Sequence, residues 1–322
     1  MIIHHLISIT LALIIDRIIG DPPNWPHPVR WIGALIAELE KYLNKGNYRR
    51  WKGLLLLFLV TAIPLIITLL ISWGAYQLHI VAGVVVEALI IATSIAQKDL
   101  KIAALRIYQP LSASKLEKAR QEVSMIVGRD TAGLDEEGIT RATVETVAES
   151  IGDGITSPLF WTAIGGAPLA VLYRAVNTCD SMVGYKNERY QDFGWASARF
   201  DDVLNWIPSR ITGFLMMLTN NDTPQLKKKA AVKQWYRDAK KHASPNSGFL
   251  EAAVALFLGV QLGGVNYYKG IKSVRAHMGR DERKLAAKDI LHTINIMRQA
   301  VFVFVMFLWI GGGVIAVAST WL

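Results

Sequence analysis

The chain has 322 residues, of which 52% are hydrophobic and 19% charged, and its formal net charge is +9. The one cysteine excludes an internal disulfide framework and a metal site built from several cysteines. The excess of Lys and Arg fits the cytoplasmic loops of a membrane protein better than a nucleic-acid partner, so no nucleic acid is expected.

Long apolar runs predict a polytopic membrane protein, because a helix needs ~20 apolar residues to cross a bilayer. The runs of sufficient length lie at about residues 2–19, 53–74, 79–96 and 300–321. The positive-inside rule places the basic regions between these spans in the cytoplasm and both termini outside. Shorter runs at 159–176, 204–219 and 249–265 conflict with this span count. They are predicted to be buried helices of a cytoplasmic core or re-entrant segments, unless two of them cross as a hairpin.

The other segments also predict helices, so the fold class is all-α. Apolar residues at helical spacing predict a helix over 112–127, which begins with a serine cap, and another over 138–151. A strongly basic helix is predicted over 224–242. Alternating strands, a Rossmann glycine pattern and a phosphate-binding loop are absent from the sequence. The chain is therefore predicted to be a single integral-membrane domain, 1–322, with a polar core over about 98–298.

A proline-rich loop, residues 20–33, follows the first span and is predicted to join the polar core. Gly20–Pro23 forces a stiff turn at the membrane surface. His27 lies between two prolines and is therefore held in an extended loop. Trp25 and Trp31 belong either to this rigid proline-rich loop or to an interfacial aromatic belt.

A dense group of acids follows, although unpaired charges are costly in a membrane-like chain. Glu145, Glu149 and Asp153 are spaced by four residues, which places them on one face of a helix. Because like charges repel, a cation is expected to face them, either Mg²⁺ or an Arg or Lys from elsewhere. A solvated helix face is the alternative. Asn177 and Asp180, one turn apart in an apolar run, either cap a helix end or contribute to the site.

More polar residues follow up to residue 210. Lys186 and Arg189 lie in a polar loop suited to contact a phosphate or an acidic substrate. Asp201 and Asp202 cannot both point in the same direction, so at most one of them is predicted to bind a metal. Arg210 follows a proline, and a helix re-entry there is predicted to aim it back at this cluster.

Three residues or segments outside these groups are ambiguous. Glu87 lies inside the third span, where an acid is a functional candidate or merely faces a helix interior. The segment 244–270 contains Glu251 and two adjacent glycines, which either bring backbone amides close to a ligand or allow tight helix packing. Cys179 is interpreted as a small packing residue.

Four motifs in this order resemble the adenosylcobinamide-phosphate synthase family of cobalamin biosynthesis (CobD/CbiB). They are DRIIGDPPNWPHPVRWIG, TVAESIGDGITSPLF, YRAVNTCDSMVGYKNERYQDFGWASARFDDVLNWIPSR and SPNSGFLEAAVALFLGVQLGG. The resemblance implies a multi-pass enzyme of the inner membrane with its active site facing the cytoplasm. Such an enzyme joins adenosylcobyric acid, a corrinoid, to aminopropanol or its O-phosphate through an amide bond, with ATP and Mg²⁺. Association with other late cobalamin-pathway enzymes is also compatible with the resemblance.

Amide formation from a carboxylate in water requires activation, so the implied chemistry assigns roles to the candidate residues. The predicted metal ligands are Glu145, Glu149, Asp153 and Asp180. The predicted contacts to the nucleotide phosphates are Lys186, Arg189, Arg210 and Asn177. Glu149 and Asp153 also count as catalytic.

The substrate is assigned to a separate set of residues. His27 or Asp21 is predicted to act as the base or to orient the corrinoid side chain. The predicted substrate-binding residues are Arg30, Asp16, Asp201 and Asp202.

Two alternatives to a synthase remain. A membrane phosphotransferase of the CDP-alcohol type also uses clustered aspartates and Mg²⁺, but its DGxxARxxxxxxxGxxxDxxxD spacing is absent. A non-catalytic membrane sensor of the AmpE type has no need of the acid clusters together with the proline-rich loop. Consumption of ATP separates a sensor from an enzyme.

Overall fold

The computed structural model describes residues 1–22, 25, 27–219 and 226–319. Within these residues the helices are α1 (Ile2–Ile18), α2 (Pro28–Leu43), α3 (Arg49–Leu78), α4 (Ile80–Ala92), α5 (Gln97–Ser112), α6 (Leu116–Ser124), α7 (Glu136–Ile151), α8 (Ser157–Val183), α9 (Trp195–Thr219), α10 (Lys228–Ala239), α11 (Ser247–Leu258) and α12 (Lys288–Ala318). A π-helical turn, Gly152–Thr156, connects α7 to α8. An antiparallel hairpin of β1 (Gln261–Tyr268) and β2 (Ile271–Gly279) follows α11.

The chain divides into two compact units. The first unit consists of Met1–Gln97, Asp153–Asn205 and Val305–Leu322. The second unit consists of Lys98–Gly152 and Trp206–Phe304. The residues of the predicted polar core are thus shared between the two units.

Four helical runs in the described part of the chain are long and apolar enough to cross a membrane. They are Arg49–Leu78, Ile80–Ser112, Glu136–Val183 and Lys288–Ala318. Together with the high helix content, they confirm the prediction of an all-α polytopic membrane protein. Three of the runs overlap predicted spans. The helix at the predicted span 2–19, α1, has 17 residues and is not among the four.

The run Glu136–Val183 differs from its prediction. The sequence predicted a short buried or re-entrant helix at 159–176. In the structure α7, the π-helical turn and α8 together form a run of 48 residues. Gly165 and Gly166 interrupt α8 with non-helical backbone angles. The sequence did not predict a single span here, because this break and the acids before it interrupt the apolar run.

The core of the first unit forms where α2, α3 and α8 pack together. The amphipathic α2 begins with Pro28 at its first position and buries Ile32 and Ile36 against this core. Gly53 in α3 faces the backbone of Phe193, and a Cβ at Gly53 would lie 1.9 Å from the Phe193 carbonyl oxygen. Glycine therefore allows α3 to approach that backbone closely.

The second unit is built around α11, whose twelve residues are all buried. Helices α7 and α10 and the hairpin pack on it. The sequence predicted an apolar helix over 249–265, but the helix ends at Leu258 and Gly259 closes it in the left-handed conformation, with φ of 65°. A strand follows from Gln261. The prediction of no strands is wrong for this hairpin.

The helix predicted over 112–127 is shorter than expected. Ser112 is the last residue of α5, and α6 covers only Leu116–Ser124. The residue before α6, Lys115, makes no capping hydrogen bond through its side chain, so the predicted serine cap is wrong. The predicted helices at 138–151 and 224–242 correspond to α7 and α10, with 220–225 outside the described residues.

Candidate functional site

A cluster of acids and amides lies in the first unit around Asp201, a buried residue of α9. Asn177 Nδ2 donates to Asp201 Oδ1 at 3.2 Å, and Asn205 Nδ2 donates to Asp201 Oδ2 at 2.9 Å. Asn205 lies four residues after Asp201, so the two share one face of α9. Both carboxylate oxygens are thereby oriented. We call this group, with Asp153, Tyr173, Arg174 and Asp180, the Asp201 cluster.

The Asn205 amide is itself fixed by two hydroxyl groups. Ser157 Oγ and Tyr173 OH both donate to Asn205 Oδ1, at 2.6 Å and 2.8 Å. Tyr173 OH also lies 3.3 Å from the Asp153 carbonyl oxygen. Because Asn205 accepts from both hydroxyls, its amide nitrogen must face Asp201, and the orientation of the cluster follows.

The protonation of Asp201 is shifted by its surroundings. Burial, followed by the negative charge of Asp180, raises the pKa of the Asp201 carboxyl to about 7. Burial also raises the pKa of the neighbouring Asp202, and the positive charges of Arg199 and Lys186 oppose that shift. A cation near Asp180 and Asp201 would relieve the repulsion between them.

Arg174 brings a positive charge to the Asp201 cluster. Its Nη1 lies 3.4 Å from the Asp153 carbonyl oxygen and 3.5 Å from Asn177 Oδ1. It also interacts electrostatically with Asp21, on the predicted proline-rich loop. Within the described residues its Nε is buried and has no hydrogen-bond partner. A group that can accept from this nitrogen, such as a phosphate oxygen, is therefore a suitable ligand.

The proline-rich loop holds an acid–histidine pair. His27 Nε2 lies 3.0 Å from Asp21 Oδ1, while the Val29 N–H donates to His27 Nδ1 at 3.3 Å as α2 begins. Nδ1 of His27 thus accepts a hydrogen bond, and Nε2 lies within ion-pair distance of Asp21. Arg30 is exposed and its Nη1 lies 3.4 Å from the carbonyl oxygen of Trp25. Pro23, Asn24 and Pro26 lie outside the described residues.

The predicted phosphate-binding residues differ in their surroundings. Lys186 is exposed in the loop after α8. Arg189 forms an ion pair with Glu40, with its Nη2 2.8 Å from Glu40 Oε1. Asp16, a predicted substrate contact, is buried within α1. Of the two cations, Arg189 is held by its ion pair with Glu40, whereas Lys186 is exposed and acts on Asp202 through its charge.

Arg210 lies in the second unit, where it packs on aromatic side chains. No helix re-entry follows Pro208, because α9 continues through it to Thr219. The guanidinium lies over the rings of Trp206 and Phe249, at 4.3 Å and 4.5 Å from their centroids. These cation–π contacts fix Arg210 on aromatic surface.

A second buried polar cluster, in the second unit, contains Glu145. Arg129 Nη2 donates to Glu145 Oε2 at 2.5 Å, and the Gly263 N–H donates to Glu145 Oε1 at 2.8 Å. Arg129 Nη1 donates to Asn266 Oδ1 at 2.8 Å. The positive group that the sequence predicted opposite Glu145 is thus an arginine. The adjacent glycines 263–264 were predicted either to bring backbone amides close to a ligand or to allow tight helix packing. In the structure the Gly263 amide donates to the Glu145 carboxylate.

Glu149 and Glu251 complete this second cluster, which we call the Glu145 cluster. Ser247 Oγ donates to Glu149 Oε1 at 3.0 Å. His242 Nε2 lies 3.4 Å from Glu251 Oε1, with both side chains buried. Burial, followed by the charges of Glu145 and Glu149, raises the pKa of Glu251 well above its usual range. Burial also lowers the pKa of His242.

Replacing Glu251 with glutamine is expected to stabilise the protein by an amount that grows with pH. The raised pKa means that folded Glu251 keeps its proton where the unfolded chain has lost it, so its contribution to stability falls as the pH rises above about 4.3. Glutamine resembles the protonated acid and does not titrate. The measurement is the thermal unfolding midpoint in detergent between about pH 5 and 8. Glu136→Gln, which removes an exposed acid, is the control, and a pH-independent difference between Glu251→Gln and the unchanged protein contradicts the prediction.

The predicted metal ligands fall into both units. Glu145 and Glu149 share one face of α7 as predicted, whereas Asp153 lies in the π-helical turn, which interrupts the spacing of four. Asp153 and Asp180 belong to the first unit. Within the described residues, no three His, Cys, Asp or Glu side chains are placed to hold one metal ion. The metal assignment stays a prediction.

Several residues of the two clusters were not predicted from the sequence. Asn205 had a usable signal, because it lies one helical turn after Asp201. Tyr173 and Arg174 precede Asn177 on α8, and their positions in an apolar run favoured a core interpretation. Arg129 gave no signal, since its partners are remote in sequence.

The fold defines a polytopic membrane protein, and it carries two buried polar clusters. A family model described as CobD/Cbib protein matches residues 9–297. A protein of Halalkalibacterium halodurans named cobalamin biosynthesis protein CobD is 54% identical, over 98% of this chain and 99% of its own. Proteins of the same name from Clostridium perfringens and Geobacter metallireducens are 44% and 47% identical, over 92% and 89% of this chain and 95% and 90% of their own.

The chain therefore belongs to the CobD/Cbib family, as its motifs indicated. No solved structure matches it.

Proposed function

We propose that this protein is the adenosylcobinamide-phosphate synthase of cobalamin biosynthesis. It would join adenosylcobyric acid to aminopropanol or its O-phosphate through an amide bond, with consumption of ATP. The observation that carries this proposal is membership of the CobD/Cbib family together with close relatives, similar over nearly their full length, that are named for cobalamin biosynthesis. The Asp201 cluster supports the catalytic part of the proposal.

The Asp201 cluster has the donor chemistry for Mg²⁺. Its side chains offer carboxylate and amide oxygens, and Mg²⁺ is commonly held by one or two carboxylates together with substrate phosphates. Asp153 and Asp180 are the proposed ligands. Glu145 fits this role less well, because Arg129 and the Gly263 amide already occupy its oxygens. When bound, Mg²⁺–ATP would supply the phosphate that activates the substrate carboxylate.

The other residues of the Asp201 cluster would bind and orient the substrates. Arg174 would contact a phosphate through its Nε, and Lys186 is the accessible cation nearby in sequence. Asp201, held by two amide donors, would bind the amino group of the amine and accept a proton from it. Asp21 and His27 would orient the corrinoid side chain. The site would face the cytoplasm of the inner membrane, where the basic loops are predicted to lie.

The test is synthesis by the purified protein in nanodiscs from adenosylcobyric acid, Mg²⁺–ATP and aminopropanol O-phosphate. Mass spectrometry is expected to detect adenosylcobinamide phosphate. ADP as the second product indicates activation by phosphoryl transfer, and AMP indicates activation by adenylyl transfer. Asp153→Asn and Asp180→Asn are expected to abolish the product while the protein stays folded and inserted. Turnover near that of the unchanged protein in both variants contradicts the assignment of these acids.

A folded sample that makes no product, also with free aminopropanol or ethanolamine phosphate as the amine, contradicts the synthase. It would favour the membrane regulator among the alternatives. Transfer of a phosphoalcohol without amide formation would favour the phosphotransferase. No feature of the two clusters favours either alternative over the synthase.

A further inference from the structure

Helix α8 is broken in the middle of an apolar run of the first unit. Gly165 has φ of −146° and ψ of 28°, and Gly166 has φ of 66° and ψ of −158°. The second pair of angles is readily adopted by glycine alone. A Cβ at Gly166 would also lie 1.9 Å from Glu87 Oε1. Both the backbone and the space at this position therefore require glycine.

The Glu87 carboxylate lies directly against this break. The Ala167 N–H donates to Glu87 Oε1 at 3.1 Å, and Tyr76 OH donates to Glu87 Oε2 at 2.9 Å. His5 Nδ1 and Ser8 Oγ lie 3.0 Å and 3.2 Å from the same Oε2. Glu87 is only 1% exposed. An acid inside a predicted span is thus surrounded by groups from α1, α3 and α8 that can donate to it.

The contact with Ala167 satisfies a backbone amide at the start of a helical segment. The first amides of a helix lack partners within the helix, and its N-terminal end carries partial positive charge. Pro168 has no N–H to satisfy, which suits it to this first turn. The Glu87 carboxylate therefore caps the second half of α8, residues 167–183, inside the apolar part of the unit.

This half-helix carries most of the Asp201 cluster. Arg174, Asn177 and Asp180 all lie on it, and Asn177 donates to Asp201. We propose that Glu87 is a positioning residue: its carboxylate fixes the second half of α8, and thereby holds Asn177 and Asp180 in register with Asp201. The effect on catalysis rests on the proposed synthase function, whereas the effect on the helix does not.

Cys179 provides a reporter that does not depend on activity. It is the only cysteine in the chain, lies on the second half of α8 and is fully buried, with its Sγ 3.1 Å from Ser197 Oγ. Its rate of labelling by N-ethylmaleimide, measured by mass spectrometry in nanodiscs, reports movement of this half-helix. Glu87→Gln and Gly166→Ala are each expected to label about tenfold faster than the unchanged protein. Glu87→Asp, which keeps the carboxylate, is expected to label more slowly than Glu87→Gln.

Two controls separate positioning from general instability. Gly165→Ala makes the same change one residue earlier, where φ is negative and the three atoms nearest to the new Cβ all belong to the side chain of Leu169, the closest at 2.6 Å. It is expected to label like the unchanged protein. Leu256→Ala creates a cavity in the buried helix of the second unit and lowers stability, whereas Glu87 belongs to the first unit. Each of these two variants is labelled at the same number of degrees below its own unfolding midpoint. Equal labelling rates of Leu256→Ala and Glu87→Gln under this condition overturn the proposal.

The activity measurement is made on the same samples. Glu87→Gln is expected to lower kcat more than it raises KM for adenosylcobyric acid, because misplaced Asn177 and Asp180 affect the reacting groups. Unchanged labelling in both Glu87→Gln and Gly166→Ala overturns the positioning role whatever the activity. Faster labelling of the two variants, when the unchanged protein itself makes no amide product, supports the positioning role and contradicts the proposed function, so the two failures are distinguishable.

Discussion

Asp201→Asn is expected to reduce synthesis of adenosylcobinamide phosphate by about 10²–10⁴-fold, the usual contribution of a positioned acid or base. Asparagine cannot accept a proton from the amine. It also turns an amide N–H₂ toward Asn177 or Asn205, both of which donate to Asp201. The measurement is kcat/KM for the amine substrate, with the unfolding midpoint of each sample taken alongside.

Asp202→Asn is the matched control for this change. Asp202 is the next residue of α9, is half-buried and interacts with the charges of Arg199 and Lys186. Asp202→Asn removes the same charge one residue away and leaves the two amide groups that donate to Asp201 in place. Equal losses of activity in Asp202→Asn and Asp201→Asn would mean that the charge of this helix turn matters, and not the Asp201 carboxylate. A normal rate in Asp201→Asn would remove Asp201 from the reaction.

The features predicted best from the sequence are those that depend on the chain's own composition. The span at 53–74 lies within α3, and the span at 300–321 coincides with α12 as far as Ala318, because a long apolar run has few alternatives to a helix in a bilayer. The helix at 138–151 was recovered within two residues, as α7. These elements need no partner to be identified.

The errors lie where distant residues decide the local structure. At Gly166 the backbone can leave the helix because Glu87, far away in sequence, accepts from the freed Ala167 amide. The hairpin 261–279 was missed because Gly263 and Gly264, both with positive φ, disrupt the alternation by which strands are identified. Periodicity within a short window cannot register such contacts.

For the candidate site too, local spacing was predicted correctly and contacts between distant residues were not. The spacing from Glu145 to Glu149 predicted a shared helix face, which the structure has. The expected cation was right in sign, but spacing could not distinguish Mg²⁺ from Arg129, whose identity depends on how the chain folds. Asp201 was a candidate from the start, whereas Tyr173 and Arg174 could be recognised only once their partners were known.

The Glu145 cluster gives the second large prediction, which concerns stability. Arg129→Met is expected to lower the free energy of unfolding by about 3–5 kcal/mol, because it leaves the buried Glu145 carboxylate without the positive charge that pairs with it. The side chains of Arg129 and Glu145 are 6% and 3% exposed, so water cannot replace the lost interaction. The measurement is denaturant unfolding in detergent. Arg141→Met is the control, since Arg141 contacts Val265 and Asn266 in the same unit.

The partner variant decides between the two roles considered for Glu145. If Glu145 mainly neutralises Arg129, then Glu145→Gln lowers stability, and Arg129→Met combined with Glu145→Met recovers much of the loss, because two apolar side chains can replace a buried ion pair. If Glu145 instead holds Mg²⁺ as the sequence predicted, Glu145→Gln lowers activity at unchanged stability and raises the Mg²⁺ concentration needed for turnover. The bond to Arg129 and the Gly263 amide favour the first outcome. That result would confine the proposed Mg²⁺ ligands to Asp153 and Asp180.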